Sequence, residues 1–306
     1  MTTMKGIARC VCCLALALAA PRVSSAGGAW VPAPGDGDID LGYSPKTAST
    51  SWDTHGRAYT NRNGAGEISY QDFRYLYLDG EIGLFKNFSA TFLMTYLDGI
   101  EGPHNNGEED SGPSDAWFGC KYALTQGKLP MAIAFTYRTP IFYALPGPYS
   151  RELFDAHGNH IGESPSWRGL LKNDYGLTYL ISQSAFGGGW WNFQTGYIWR
   201  SGAPSDQIPV LVDLGYPLPL FGSFAKLAGS WYHSVGNWTT PQPNDRFGVS
   251  ATNNFNDASY LQLAASWLVP FGRHREYFVE GGYGQVVWGI SARRYREPFI
   301  SIDRRF

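Results

Sequence analysis

The chain has 306 residues, 24 Lys and Arg against 26 Asp and Glu, and a mean hydropathy of −0.25. Beyond Ala26 it keeps 21 basic and all 26 acidic side chains, a net charge of −5 that argues against a nucleic-acid partner, because phosphate binding needs a basic footprint. Only one of the four Cys, Cys120, lies beyond Ala26, which excludes a disulfide framework, and no run there reaches the roughly 20 apolar residues of a membrane-spanning helix.

Residues 1–26 read as a secretion signal. Lys5 and Arg9 supply the positive start, Val11 to Ala20 the apolar run, and Ser24-Ser25-Ala26 the small residues of a cleavage site, with a cut after Gly28 as the alternative. Cys10, Cys12 and Cys13 precede or open the apolar run, so they do not sit where a lipidated Cys would. Residues 27–306 then form a single domain.

That domain alternates apolar and polar residues in segments of about ten, separated by turns, and twelve strands are predicted from it. The first is Gly37 to Lys46, followed by a polar stretch to Ile68. Ser69 to Leu84 and Phe88 to Leu97 are joined by Phe85-Lys86-Asn87; in the latter, Phe88, Ala90, Phe92, Met94 and Tyr96 share one face. Ser114 to Leu124 and Pro130 to Thr139 follow, the second with Met131, Ile133, Phe135 and Tyr137 on one face. Residues 140–170 lack a pattern and carry Pro140, Pro146, Pro148 and Pro165, the mark of a long loop. Leu171 to Ser182 and Trp190 to Arg200 flank Phe186-Gly187-Gly188-Gly189, and Gln207 to Tyr216 and Phe224 to His233 flank residues 217–222. After a polar loop at 234–257 come Ala258 to Leu268, Arg275 to Trp288 and Arg294 to Phe306.

The connections after even strands are short, and most of those after odd strands are long. Transmembrane barrels of the bacterial outer membrane segregate their connections this way, with short periplasmic turns and long outer loops. The fold class expected is therefore all-β: an antiparallel up-and-down barrel of about 12 strands with both termini periplasmic, in a Gram-negative outer membrane. Trp199, Trp231, Trp267 and Trp288 at strand ends, with Trp190 and Trp191, read as interfacial girdle residues. Phe306 is the terminal aromatic that closes many such barrels and belongs to the signal read by the barrel-assembly machinery. Arg304 and Pro298 depart from that pattern.

Lipid-facing positions must be apolar, so strand charges are expected to point inward. This places Arg74, Asp115, Lys121, Arg138, Arg200, Asp213, Lys226 and Glu280 in the lumen, as structural ion pairs or as a selectivity constriction. No enzyme is expected. A lipid hydrolase on such a barrel would need a Ser and a His in reach, and the one His–Ser dipeptide, His233-Ser234, puts them on opposite faces of a strand. Neither a metal site nor a cofactor is expected: His157 and His160 lack zinc-spaced partners, Asp36, Asp38 and Asp40 lack the rest of a calcium loop, and no nucleotide fingerprint occurs. Glu108, Glu109 and Asp110 read as an acidic loop tip that could bridge lipopolysaccharide through divalent ions.

The segment Ser111 to Pro140 resembles the outer-membrane transport family associated with the meta-pathway of phenol and aromatic degradation, a barrel related to fatty-acid and aromatic channels. Gly112, Asp115, Trp117, Gly119, Lys121, Tyr122 and Pro130 fit its motif, while Ser114 stands where a Gly is common. The resemblance implies passive transport of small, often hydrophobic or aromatic, compounds. It assigns no binding residue. The related fatty-acid channels carry an N-terminal plug, for which the ten or so residues between Ala26 and Gly37 are too few. The reading is thus a channel for small solutes whose loop 140–170 restricts entry, with outer-membrane lipid and lipopolysaccharide as surroundings. A plugged structural or adhesive barrel and a lipid hydrolase are the alternatives. The solute, the state of the lumen, the oligomeric state and the choice of cleavage site are not legible.

Overall fold

A computed structural model describes residues 28–53, 55–62, 66–102, 108–140, 151–154, 160–164, 173–201, 205–236, 258–273 and 275–306. Twelve antiparallel strands close into a barrel: β1 Gly37–Ala48, β2 Tyr70–Phe85, β3 Phe88–Gly102, β4 Ala116–Thr125, β5 Met131–Thr139 and β6 Asp174–Ala185. The second half is β7 Gly189–Arg200, β8 Gln207–Pro217, β9 Phe224–Ser234, β10 Ser259–Phe271, β11 Tyr277–Ile290 and β12 Arg296–Arg305. Each strand pairs with its chain neighbours, and β12 pairs with β1, so no sheet edge is left open.

Alternation decides which residues face where. On β1, Asp40, Gly42, Ser44 and Lys46 are buried while Ile39 and Tyr43 are exposed. On β8, Leu211 and Asp213 are buried while Val212, Leu214 and Tyr216 are exposed. Charged residues thus fill an interior and large apolar side chains cover the exterior, the inverse of a soluble barrel. Cys120 takes the outward parity of β4 and is a free thiol. No helix among the described residues is long and apolar enough to cross a membrane.

The short turns all lie at the end where the termini meet. The Gly37 N–H donates to the Phe306 carbonyl at 2.9 Å, and the Phe306 N–H donates back to Gly37 at 3.0 Å. Of these turns, Lys86-Asn87 is the tightest, and Asn87 supplies the left-handed conformation it needs, with φ 65°. At the opposite end, three short strands, Thr50–Trp52, Ala58–Thr60 and Ala292–Arg293, form a separate sheet. There the backbone amides of Arg57 and His55 donate to Asp53 and hold its carboxyl below the usual range.

Several expectations are corrected. Glu108, Glu109 and Asp110 are not a loop tip: Glu108–Pro113 is a strand that prolongs β4 along β3, interrupted at Ser114 and Asp115. The patternless region 140–170 contains an antiparallel pair, Arg151–Phe154 with His160–Ser164, so His160 is a strand residue; His157 lies outside the described residues. Residues 1–26, expected to be a secretion signal, and residues 237–257 also lie outside them. Trp190 is no girdle residue: it points inward and donates its indole N–H to Asp213 at 2.9 Å.

Candidate functional site

The lumen is built in tiers. At the loop end, Asp115, Arg138, Asp174, Arg200 and Gln207 follow one another around the wall from the irregularity before β4 to β8. The Arg138 guanidinium donates to Asp115, from Nε at 2.7 Å, and to Asp174 at 3.3 Å. Arg200 lies 4.0 Å from Asp174 and donates to Gln207 at 2.7 Å. Arg138 stands opposite Trp117, so Asp115, two residues before it on the same face, lies within reach as a diagonal neighbour.

In the middle tier, Lys121 on β4 reaches Glu81 on β2 at 2.7 Å, across β3. Ser89 of β3 donates a hydroxyl to the same carboxylate. Further round, Asp213 accepts from Trp190 and Asn192, each at 2.9 Å, and Lys226 stands 3.4 Å from Glu280, which also accepts from Ser266 at 2.6 Å. These are buried, largely satisfied pairs, which is what a wall of charge requires where little water reaches it.

The closing seam is interrupted. Between the pairs Tyr43–Ile300 and Thr47–Arg296 the β1–β12 ladder lapses, and Pro45 and Pro298 lie in that stretch. Proline has no N–H to donate, so the ladder is interrupted there. Glu297 bridges the gap from inside: it accepts from Ser44 at 2.6 Å and Gln262 at 2.9 Å and pairs with Lys46 at 3.3 Å.

The described residues line two cavities within the lumen. The larger, about 520 Å³, lies toward the turn end and is lined by Trp190, Phe278 and Phe306 together with Asp38, Asp303 and Arg305. A smaller one of about 190 Å³ is lined by Tyr77, Trp117, Lys121, Thr136, Thr178 and Leu180. Glu81 lines both. Register places Asp40 opposite Asp303 on one side and Asp79 on the other, a row of three carboxylates across β12, β1 and β2. Among the described residues, no group of three or more His, Cys, Asp or Glu is arranged to hold a metal ion.

Of the eight charges expected in the lumen, the structure puts Asp115, Lys121, Arg138, Arg200, Asp213, Lys226 and Glu280 on its wall and brings them into the pairs above. Arg74 is different. It shares the outward parity of Leu76, Leu78 and Ile82, its side chain is 65% exposed, and it pairs with the half-exposed Asp98 at 3.2 Å. The expectation failed because it assumed that every strand charge lies within the hydrocarbon band. Lumen residues missed from sequence include Asp38, Lys46, Glu81, Asp174, Glu297 and Asp303, although their parity with Asp40, Asp79 and Ser301 would have found most of them. Of the motif residues, Gly112, Asp115 and Lys121 are buried, Trp117 lines the smaller cavity, Gly119 packs against β3 and β5, and Tyr122 faces outward. His233 faces outward against Trp231 and Ser234 is buried inside, so the two cannot act on one substrate atom.

The ten residues judged too few for a plug do enter the barrel. Gly28 and Ala29 contact the walls of β4, β6 and β7, and Trp30, Val31 and Pro32 line the larger cavity.

No protein-family model matches the chain, and no curated protein matches it in sequence. Its fold is similar to the COG4313 outer membrane channel from Pseudomonas putida F1, with 12% identity, 94% of this chain and 100% of that chain covered, and a TM-score of 0.61. The CymD monoaromatic hydrocarbon channel (10% identity, 90% and 89% covered, TM-score 0.44) and the translocator domain of the autotransporter NalP from Neisseria meningitidis (9%, 89% and 88%, 0.44) are more distant likenesses. The chain therefore has the fold of a twelve-stranded outer-membrane β-barrel.

Proposed function

We propose that the chain is an outer-membrane channel through which small solutes diffuse down their gradients. The observation that carries this reading is a closed barrel, apolar outside, whose charged interior encloses cavities of about 520 and 190 Å³. The fold it shares with the Pseudomonas putida channel supports the same assignment. In this reading the short-turn end and both termini face the periplasm, and the chain reaches the membrane with its first 26 residues removed. Solutes meet the arginine–carboxylate belt of Arg138 and Arg200 first and the acidic chamber around Asp38, Glu280 and Asp303 second. Indole and phenyl walls beside those carboxylates suit solutes with a small apolar ring or chain. No catalytic step is assigned. Reconstitution of the processed protein in planar bilayers and in vesicles tests this. Single-channel currents and swelling in small solutes are expected; a folded protein that passes neither ions nor solutes would leave the structural or adhesive barrel as the better reading.

A further inference from the structure

Six carboxylates line the larger cavity, those of Asp36, Asp38, Glu81, Asp213, Glu280 and Asp303, against the two cations Lys226 and Arg305. Most of those on the wall are already engaged. Lys121 holds Glu81 at 2.7 Å, Lys226 stands 3.4 Å from Glu280, and Asp213 accepts from Trp190 and Asn192. Asp38 is not. It lies in register between Glu81 on β2 and Arg305 on β12. Arg305 turns from it to Asp303, its Nε 3.4 Å from that carboxylate. Among the described residues no hydrogen bond or close ion pair reaches Asp38, and Arg305 and Lys121 act on it only from farther off.

Apolar walls stand beside these carboxylates. Trp190, Leu268 and Phe278 line the same space. The Trp190 N–H is committed to Asp213, so the indole offers its ring to the cavity. Phe278 already carries a cation: the Arg305 guanidinium lies 4.3 Å from its ring centroid. Arg305 thus displays, with a side chain of the wall itself, what the cavity recognises, which is a cation over an aromatic face with a carboxylate at its edge. Asn192 adds a further acceptor on the wall. It is 5% exposed, donates to both Asp213 oxygens at 2.9 and 3.0 Å, and leaves a buried Oδ1 with no donor. An unsatisfied buried acceptor favours a ligand that brings N–H groups, and a primary ammonium brings three.

We infer that the larger cavity is a binding site for a primary ammonium carried on a small apolar body, with the ammonium on Asp38 and the body against Trp190 and Phe278. The volume of about 520 Å³ suits such a solute, since small-molecule sites run from about 300 to 1,000 Å³. An anion would meet an excess of carboxylates. A neutral ring would leave Asp38 without a partner. The inference deepens the channel reading, on which it rests for the site's place along a solute path, and names the solute class.

The test uses the processed full-length protein in detergent micelles at neutral pH, its folded fraction selected by resistance to unfolding in unheated gels. Three probes are titrated by calorimetry: benzylamine, a protonated amine on one ring; benzyl alcohol, its neutral counterpart; and ammonium chloride, the charge without the body. Benzylamine should bind about tenfold or more tightly than either of the others, because a charge-assisted contact and a buried ring each contribute about that factor. Asp38→Asn should remove the advantage over benzyl alcohol, and Phe278→Leu should weaken benzylamine while keeping an apolar wall. Equal affinity for benzylamine and benzyl alcohol, or an advantage that survives Asp38→Asn, would overturn the site. Ammonium bound as tightly as benzylamine would overturn its apolar half. Recordings in planar bilayers separate this from the channel reading. A parent that conducts but shows no amine preference loses the site alone, and one that binds benzylamine but stays silent loses the channel alone.

Discussion

Replacing Lys121 by Met tests whether the lumen is packed or open. Met keeps the length of the side chain and removes its charge. The Lys121 and Glu81 side chains are 4% and 1% exposed and their charged atoms are 2.7 Å apart. At that separation the attraction is about 6 kcal/mol for an effective dielectric of about 20, against about 1.5 kcal/mol in bulk water. Removing one partner also leaves Glu81 buried with the Ser89 hydroxyl as its remaining donor among the described residues, and breaking such a pair costs about 3–5 kcal/mol. Lys121→Met should therefore lower stability by about that amount, measured by denaturant unfolding in detergent micelles followed through tryptophan fluorescence. Adding Glu81→Gln should restore about 2 kcal/mol or more, because the stranded charge is gone. Arg74→Met is the control. Its pair with Asp98 is 65% and 49% exposed, so the change should stay within about 1 kcal/mol. If Lys121→Met costs no more than Arg74→Met, water reaches the middle of the barrel freely and the packed-lumen argument fails.

Three further outcomes follow from named residues. Glu297→Ala should weaken the barrel by about 2–4 kcal/mol in the same unfolding assay, since it removes the side chain that joins Ser44, Lys46 and Gln262 across the interrupted β1–β12 seam. Val212→Arg, on the exposed face of β8, should cost about 2–4 kcal/mol on refolding into vesicles, the penalty for a cation near the bilayer midplane; a neutral result would put β8 outside the hydrocarbon. The larger cavity is lined by Asp36, Asp38, Glu81, Asp213, Glu280 and Asp303 against Lys226 and Arg305, so reversal potentials across a salt gradient should show preference for cations, reduced by Asp38→Asn with Asp303→Asn. Anion preference in the parent would refute that assignment.

Strand number, order and face were readable from residue patterns because a barrel in lipid leaves alternation little freedom: Val212 and Leu214 must face one solvent and Asp213 the other. The same rule located seven of the lumen charges. Arg74 was misplaced by the assumption that every strand charge points inward, which overrode the outward parity it shares with Leu76 and Leu78. Trp190 was misplaced because an indole at a strand end serves an interface or a buried carboxylate equally well, and only the neighbour Asp213 decides. The extension Glu108–Pro113 was hidden by its composition, as three acids and a proline carry no strand preference; pairing with β3 imposes it.

The N-terminal segment shows why length was the wrong measure of a plug. A domain that blocks a wide barrel needs many residues to fill it. A twelve-stranded wall whose charged side chains pair across an intervening strand is narrower inside than its backbone, and a short segment reaches both sides of it. Lys121 and Glu81 span from β4 to β2 over β3, and Arg138 ties the irregularity before β4 to β6, so the wall fills much of its own interior. What holds the segment is local: the Lys121 ammonium donates to the Gly28 carbonyl, and the Ser182 hydroxyl accepts from the Ala29 N–H. The docking of residues 28–36 is therefore consistent with a lumen whose charges are paired along the wall. In a broad aqueous pore the same nine residues would stay solvated and could not be held.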